Sequence, residues 1–233
     1  RSMERKRRSY VIEQAFYAHH AARSAARLPA ALHLSPGLFI LEDLDAAGFP
    51  GRAVGSGSLD EDTLRRCLDW LARFHASFLH HAPDGLWPVG TYWHLQTRPD
   101  ELQAMAPGPL RDAAAAIDAR LSAAVHQTLV HGDAKVANFC LGATAVAAVD
   151  FQYVGGGCGM KDVAYFLGSC LDDRDLTAHV PRLLDRYFDT LRAQLGGRAD
   201  AVESEWRQLL PLAWADFERF LAGWAPGHWK RGG

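Results

Sequence analysis

The sequence has few cysteines, almost no net charge and no long apolar run. Its four cysteines are far apart and include no Cys-x-x-Cys pair, which argues against a disulfide framework or a zinc site and is typical of reduced thiols. A formal charge of -2 gives no reason to expect nucleic acid as a partner. No run approaches the roughly 18 apolar residues of a membrane span, and no secretory signal is recognisable. We therefore predict a soluble, cytoplasmic protein that binds neither membrane nor nucleic acid.

The most informative stretch begins at residue 129. A short apolar run leads into a polar loop with Asp133, Lys135 and Asn138, and a second and a third apolar run follow, the third ending at Asp150. This pattern predicts a strand, a loop and two further strands, which bring two carboxylates and an amide to one edge. Phosphoryl transfer needs such groups, because a base must orient a hydroxyl and oxygen ligands must hold the Mg²⁺ that bridges nucleotide phosphates.

The order and spacing of these residues are those of a kinase signature. His131-Gly-Asp133 is followed five positions later by Asn138, and Asp150-Phe-Gln152 stands where protein kinases have Asp-Phe-Gly. The combination resembles the aminoglycoside phosphotransferase and choline kinase superfamily, most closely its ecdysteroid-kinase-like branch. The resemblance implies an α+β, protein-kinase-like fold, mostly its α-rich C-terminal lobe. It also implies an ATP- and Mg²⁺-dependent kinase that phosphorylates a hydroxyl of a small molecule.

Each loop residue then has an expected role. Asp133 is expected to be the base that accepts the proton of the substrate hydroxyl. Asn138 and Asp150 would supply hard oxygen ligands to Mg²⁺, which keeps several waters and needs few protein ligands. Lys135 is either a second catalytic residue that offsets charge on the transferred phosphate or a surface lysine of a tight loop. His131 is expected to brace the loop.

The first part of the chain resembles the end of a nucleotide-binding lobe. Glu13 corresponds to the helix glutamate that holds a phosphate-binding lysine in kinases, and residues 38–44 resemble the hinge, where the Glu42 C=O and the Leu44 N–H would contact adenine. We therefore expect residues 1–45 to be a remnant of the nucleotide-binding lobe with the hinge, and residues 46–233 to be the helical lobe. The upstream glycine-rich loop and strand lysine of such families are not in this sequence.

The remaining elements follow from periodicity and from turn residues. Ser58 and Glu61 match a capping box ahead of a core helix that contains His75, which we expect to be a satisfied core histidine. His80 and His81 are expected at the surface, and the glycines of residues 153–159 are expected to form a short turn. Asp162 is expected to cap a helix or to brace the loop. Further helices are predicted at residues 110–127, at residues 181–195 with Pro181 in the first turn, and at residues 201–224.

Two other functions remain open at this stage. A catalytically inactive protein of kinase ancestry could bind a ligand or a partner through the helical lobe, and a metal-dependent phosphate-ester hydrolase could use Asp133 and Asp150. The sequence does not identify the phosphate acceptor, does not distinguish ATP from GTP, and does not give the oligomeric state.

Overall fold

A computed structural model describes residues 2–53 and 59–225. Within these residues it contains eight α-helices and seven β-strands. The helices are α1 (Ser2–His19), α2 (Glu61–Ser77), α3 (Pro99–Ala104), α4 (Pro109–Asp112), α5 (Ala114–Ser122), α6 (Met160–Cys170), α7 (Asp173–Leu195) and α8 (Ala199–Trp224). None of the helices in the described ranges combines the length and apolarity that crossing a membrane requires.

The strands form three small antiparallel sheets. They are β1 (Ala31–Ser35), β2 (Leu38–Leu41), β3 (Gly51–Arg52), β4 (Thr128–Val130), β5 (Phe139–Leu141), β6 (Val146–Ala148) and β7 (Gly155–Gly157). β1 pairs with β2, β5 lies between β3 and β6, and β4 pairs with β7. The strand, loop, strand, strand pattern predicted from residue 129 onward is confirmed, and so is the α+β fold class.

The core lies between α2, the later helices and the sheet of β5 and β6. α2 begins at Glu61 because the Asp60 side chain accepts a hydrogen bond from the Thr63 N–H at 2.7 Å. Ser58, the first residue of the predicted capping box, lies outside the described residues. The apolar face of α2 is buried, and Trp70 stacks on Phe74 with ring centroids 5.1 Å apart. α1 packs into the same core through Ile12, Phe16 and Tyr17.

The predicted extent of the helix at residues 110–127 is wrong. It is divided into α4 and α5 and ends at Ser122. The Gln127 side chain donates to three carbonyl groups at the end of α5, including that of Leu121, which satisfies acceptors that a helix terminus leaves open. Beyond that point Glu205 of α8 accepts from the backbone N–H groups of residues 125 and 126, so the chain leaves the helix to pair with α8.

The start predicted for the next helix is also wrong, because Pro181 lies inside α7 and not in its first turn. α7 begins earlier, where the Asp172 side chain accepts from the Asp175 N–H at 2.9 Å. The predicted stop is confirmed, since the helix ends at Gly196 with a positive φ of 59°. The helix predicted at residues 201–224 corresponds to α8.

The glycine-rich segment after Asp150 is not only a turn, because Gly155–Gly157 forms β7 and pairs with β4. A Cβ atom on Gly155 would lie 2.2 Å from the Trp87 carbonyl oxygen. The glycines therefore let the segment around Trp87 pack directly on the strand.

His81 also departs from its predicted surface position, since it is half-buried and its Nε2 lies 3.0 Å from His20 Nδ1.

Candidate active site

The loop that follows β4 presents a buried carboxylate beside an ammonium group. Asp133 is buried, and the Lys135 Nζ lies 2.8 Å from its Oδ2 atom. The turn is tight, because the Lys135 N–H donates to the Asp133 carbonyl oxygen at 2.8 Å. Lys135 is half-buried and its ammonium group is held on the carboxylate.

Burial and neighbouring charges set the basicity of this carboxylate. Loss of hydration raises the pKa of Asp133, Lys135 lowers it, and the nearby Asp150 raises it again, with a net upward shift. Partial burial disfavours the charged form of Lys135, but Asp133 outweighs that effect and the pKa of the lysine is raised. Asp133 is therefore a stronger base than an exposed aspartate, and the adjacent cation remains protonated.

Asn138 is held so that its amide nitrogen and its amide oxygen have different surroundings. It ends a single 3₁₀ turn, Val136–Asn138, and its Nδ2 donates to the Asp133 carbonyl oxygen at 2.8 Å and approaches Asp133 Oδ2 at 3.2 Å. With the nitrogen engaged, the side-chain oxygen is left as an acceptor. The Asn138 carbonyl oxygen accepts from the Val149 N–H at 3.0 Å, which ties this residue to the end of β6.

Asp150 follows β6 in an unusual backbone conformation. Its φ is 69°, a left-handed region that aspartate tolerates better than most residues. Its Oδ1 atom is buried and has no hydrogen-bond partner among the described residues. A buried carboxylate oxygen without a partner destabilises the fold unless a cation or a hydrogen-bond donor binds to it.

The open oxygen atoms of this site fit a magnesium ion. The open groups are one carboxylate oxygen of Asp150 and the amide oxygen of Asn138, both hard oxygen ligands. No group of three or more His, Cys, Asp or Glu side chains within the described ranges could hold a metal ion by itself.

Asp162 braces the loop from α6, as the sequence predicts. Its Oδ1 accepts from the Gly132 N–H at 2.9 Å and its Oδ2 accepts from the His131 N–H at 2.5 Å. His75 Nε2 lies 3.1 Å from the same Oδ2, and its Nδ1 lies 2.7 Å from the Tyr187 hydroxyl. His75 is thus a satisfied core histidine, and three helices share one buried network beneath the loop.

His131 also has the bracing position predicted for it. Its Nε2 lies 3.0 Å from the Val149 carbonyl oxygen, and its Nδ1 accepts from the Asp133 N–H at 3.2 Å. The ring contacts Phe151, with centroids 4.5 Å apart. The imidazole therefore connects the loop to the segment that carries Asp150.

Glu13 lies close to the same segment. Its carboxylate accepts from the Phe151 N–H at 3.0 Å, and the side chain is buried. Desolvation raises its pKa to about 7, with Asp150 adding to the shift and the Phe151 hydrogen bond opposing it. No lysine or arginine within residues 2–53 and 59–225 forms an ion pair with it.

The two hinge candidates differ in what they offer. The Glu42 carboxylate pairs with Arg27 at 2.7 Å and accepts from the Ala30 N–H, and its own N–H donates to the Ala30 carbonyl, so its side chain serves the local structure. Leu44 is buried, and its carbonyl oxygen accepts from the Phe49 N–H at 2.8 Å. The described part of the chain provides no acceptor for the Leu44 N–H.

Of the sequence-predicted residues, the structure brings together Asp133, Lys135, Asn138 and Asp150, with Glu13 next to the Asp150 segment.

Sequence reasoning missed an aromatic cluster beside the loop. Its buried members are Trp93, Phe217 and Phe220, and the half-buried Tyr92 and Tyr165 pack against them. Burial and the charge of Asp133 raise the pKa of Tyr165, and Tyr92 is among the groups that raise the pKa of Lys135. The sequence signal for Tyr165 is its position on α6, one turn after Asp162.

Comparison with known proteins bears on the family and the fold of this chain. The sequence profile of the ecdysteroid kinase-like family matches residues 93–197, which include the loop, Asp150 and α6. No curated protein matches the sequence of this chain.

Several solved structures share the fold. Macrolide 2'-phosphotransferase MphH from Brachybacterium faecium aligns with a TM-score of 0.52 and 16% identity, over 95% of this chain and 81% of that chain. Amicoumacin kinase hAmiN, solved with AMP-PNP, Ca²⁺ and Ami, aligns with a TM-score of 0.60 and 12% identity, over 96% and 73%. A choline/ethanolamine kinase family protein from Mesorhizobium loti aligns with a TM-score of 0.51 and 14% identity, over 96% and 74%. The resemblance predicted from the motifs is thus confirmed: the chain has the kinase-like fold of the aminoglycoside phosphotransferase and choline kinase superfamily and is similar over residues 93–197 to its ecdysteroid kinase-like family.

Proposed function

We propose that the protein is a small-molecule kinase that transfers the γ-phosphate of ATP, with Mg²⁺, to a hydroxyl group. The observation that supports this most directly is the convergence of Asp133, Asn138 and Asp150, with one buried Asp150 oxygen lacking a partner in the described chain. Neighbouring folds include kinases of a macrolide and of amicoumacin. We expect the enzyme to act in the cytoplasm.

In this proposal Asp133 accepts the proton of the acceptor hydroxyl while the oxygen attacks the γ-phosphorus in line. Its burial and raised pKa favour that role. Lys135 lies on the same carboxylate, where its ammonium can offset charge that develops on the transferred phosphate. Asn138 and Asp150 would hold the magnesium ion, whose chemistry is to neutralise the phosphate oxygens and to orient them.

The division of the chain is part of the proposal. Residues 1–45 would be the remaining part of a nucleotide-binding lobe, with the Leu44 N–H and the Glu42 C=O facing adenine and Glu13 close to the metal segment. Residues 46–233 would be the helical lobe that binds the acceptor. The aromatic cluster beside Asp133 supports an acceptor site on this lobe.

The test is ATP consumption with Mg²⁺ across a panel of small alcohols, amino alcohols and sugars. Turnover that depends on one acceptor class should fall by about 10²- to 10⁴-fold in Asp133→Asn. Asp112→Asn is the matched control, because Asp112 is exposed on α4 and the chemical change is the same. Equal turnover in parent and Asp133→Asn would contradict the role of Asp133, and phosphate release without nucleotide would favour the hydrolase.

The alternative function is a catalytically inactive binding protein of kinase fold. Absence of turnover with every acceptor, together with no change in melting temperature on addition of Mg²⁺ and ATP, would support this candidate over the kinase.

A further inference from the structure

A cavity of about 210 Å³ lies between the β4–β7 pair, the end of α5 and the first turn of α6. Its surface is mostly apolar and includes the side chains of Pro88, Val89 and Leu121. None of the described residues that line it is an aspartate or a glutamate, whereas Lys161 supplies an ammonium group. The cavity shares no residue with the cluster of Asp133 and its partners, so it is a separate feature of the fold.

Three polar side chains of the cavity are already engaged with the protein. The Gln127 amide donates to carbonyl groups at the end of α5. The Thr128 hydroxyl donates to a backbone carbonyl of α2 at 2.7 Å, and His81 Nε2 lies 3.0 Å from His20 Nδ1. Lys161 differs from these groups, because its charge is buried and poorly matched.

The Lys161 ammonium is buried beside a distant counter-charge. The residue is 2% exposed, and its ion pair within the described chain joins Nζ to Asp216 Oδ2 on α8 at 3.5 Å. Charge-assisted hydrogen bonds between an ammonium and a carboxylate measure about 2.7–2.9 Å. Because a buried charge destabilises the fold unless its hydrogen bonds are made, a closer anion would stabilise this ammonium.

The Asp216 carboxylate is occupied by other donors. Its Oδ1 accepts from Arg219 Nη2 at 2.8 Å and from Nε at 3.2 Å, and its Oδ2 accepts from Trp93 Nε1 at 3.2 Å. Another carboxylate near this ammonium, Asp118 on α5, pairs with His94 at 3.3 Å.

Donors outnumber acceptors around Asp216. The ammonium of Lys161 and the guanidinium of Arg219 have about eight N–H donors together, whereas a carboxylate accepts about four hydrogen bonds. Arg219 Nη1 is buried and has no hydrogen-bond partner among the described residues. A ligand that brings acceptors and no donor would therefore complement this cluster.

We propose that the cavity binds a small organic carboxylate, whose charged group pairs with the Lys161 ammonium and whose apolar end contacts Pro88, Val89 and Leu121. An ionised carboxylate is an acceptor only, as the surplus of donors requires. The apolar wall favours an organic anion over inorganic phosphate, because phosphate would lose water on every side without gaining hydrogen bonds. The proposal does not rest on the proposed kinase function.

The volume of the cavity limits the size of this ligand. A buried apolar cavity of about 150 Å³ holds benzene, whereas pockets for drug-sized ligands measure about 300–1,000 Å³. At about 210 Å³, this cavity is suited to a carboxylate with a short apolar chain or one small ring. Butyrate is a probe of this class.

The first experiment titrates the ¹⁵N-labelled protein with butyrate and follows the backbone amide signals. We expect saturable shifts at Gly156, Gly157 and Lys161, which line the cavity, with a Kd on the order of 1 mM. Butyramide has nearly the same shape and no charge. It should bind at least about 10-fold more weakly, because hydrogen bonds to a charged group are stronger than those between neutral groups.

The second experiment repeats the titration with Lys161→Met, which removes the ammonium and keeps an unbranched side chain. We expect the Kd of butyrate to rise by at least about 10-fold. Lys6→Met, at an exposed lysine of α1, should leave the Kd unchanged. Urea unfolding checks that both variants are folded.

A third variant keeps the ammonium and removes the space. Val89→Phe places a larger side chain in the cavity wall, and we expect the Kd of butyrate to rise by at least about 10-fold. Val125→Phe is its control, because Val125 is exposed and does not line the cavity. If Lys161→Met does not fold, this variant and butyramide test the site.

Three results would overturn the proposal. Equal affinity for butyrate and butyramide, or parent affinity in a folded Lys161→Met, would reject the ion pair. Tighter binding of inorganic phosphate than of butyrate would reject an organic ligand. Absence of saturable shifts around the cavity at butyrate concentrations up to about 50 mM would reject the site itself.

Discussion

The Asp162 carboxylate on α6 accepts a hydrogen bond from the Gly132 N–H at 2.9 Å, and its second oxygen accepts from the preceding amide. Asp162, His131 and His75 are all fully buried. The polar loop is therefore held by a helix that follows it in the chain, and its backbone has no alternative partner in water. The stability of the fold and the geometry of the candidate site depend on the same carboxylate.

Removing that carboxylate should destabilise the whole protein. Asp162→Ala leaves two backbone N–H groups and His75 without their acceptor, and we expect a loss of about 2–4 kcal/mol in the free energy of unfolding. Urea unfolding measures it. Asp112→Ala, at an exposed position, should change stability by less than about 0.5 kcal/mol. A loss in Asp162→Ala no larger than in this control would mean that the loop does not depend on Asp162.

Gly132 should not tolerate a side chain. Its φ is +81°, and a Cβ atom would lie 2.1 Å from the Tyr153 carbonyl oxygen. Gly37 is the matched control, because its φ of +78° is similar and nothing lies within 4 Å of an added Cβ. Gly37→Ala should cost about 1–2 kcal/mol for the backbone conformation alone, whereas Gly132→Ala should cost more than about 3 kcal/mol or prevent folding. Equal costs in urea unfolding would show that the segment around Tyr153 can move aside.

Glu13 should make stability depend on pH. Its pKa is raised from 4.5 to about 7 in the folded state, so between these values the folded state binds more protons than the unfolded state. Stability therefore falls as pH rises from 4.5 to 7, by at most about 3 kcal/mol, and the loss is complete above pH 7.

Glu13→Gln removes this titration and keeps an acceptor for the Phe151 N–H. We expect the variant to be more stable than the parent at pH 8 and to lack the parent's decline between pH 5 and pH 7 in urea unfolding. Parallel curves for the two proteins over this range would mean that Glu13 is ionised in the folded state at all these pH values.

The proposed magnesium site predicts how the replacement of one carboxylate oxygen of Asp150 changes the Mg²⁺ requirement. Asp150→Asn keeps a residue that tolerates the φ of 69° but removes the ionised ligand. On the proposed function, the Mg²⁺ concentration needed for half-maximal turnover should rise by about 10- to 100-fold. An Mg²⁺ titration of turnover at fixed ATP measures it, with Asp112→Asn as control. An unchanged Mg²⁺ requirement would remove Asp150 from the metal site.

The parts of the site that sequence reasoning recovered are close together in the chain. Asp133, Lys135 and Asn138 lie within one loop, and their mutual hydrogen bonds follow from its short length. The early end of the helix predicted at residues 110–127 was missed because Glu205, which accepts from the backbone N–H groups of residues 125 and 126, is far away in sequence. Local propensity favoured a continuous alanine-rich helix, and a tertiary contact overrode it.

The sequence by itself determined the order and spacing of the kinase signature and most of the helices, because these depend on neighbours within a few residues. Only the tertiary structure decided which groups surround Asp133 and Glu13. Asp162 reaches the loop just before Asp133 from α6, His75 reaches Asp162 from α2, and the Phe151 N–H reaches Glu13 across the core. These pairings join residues that are distant in the chain, and they depend on how the helices pack around the loop and not on any local preference of the backbone.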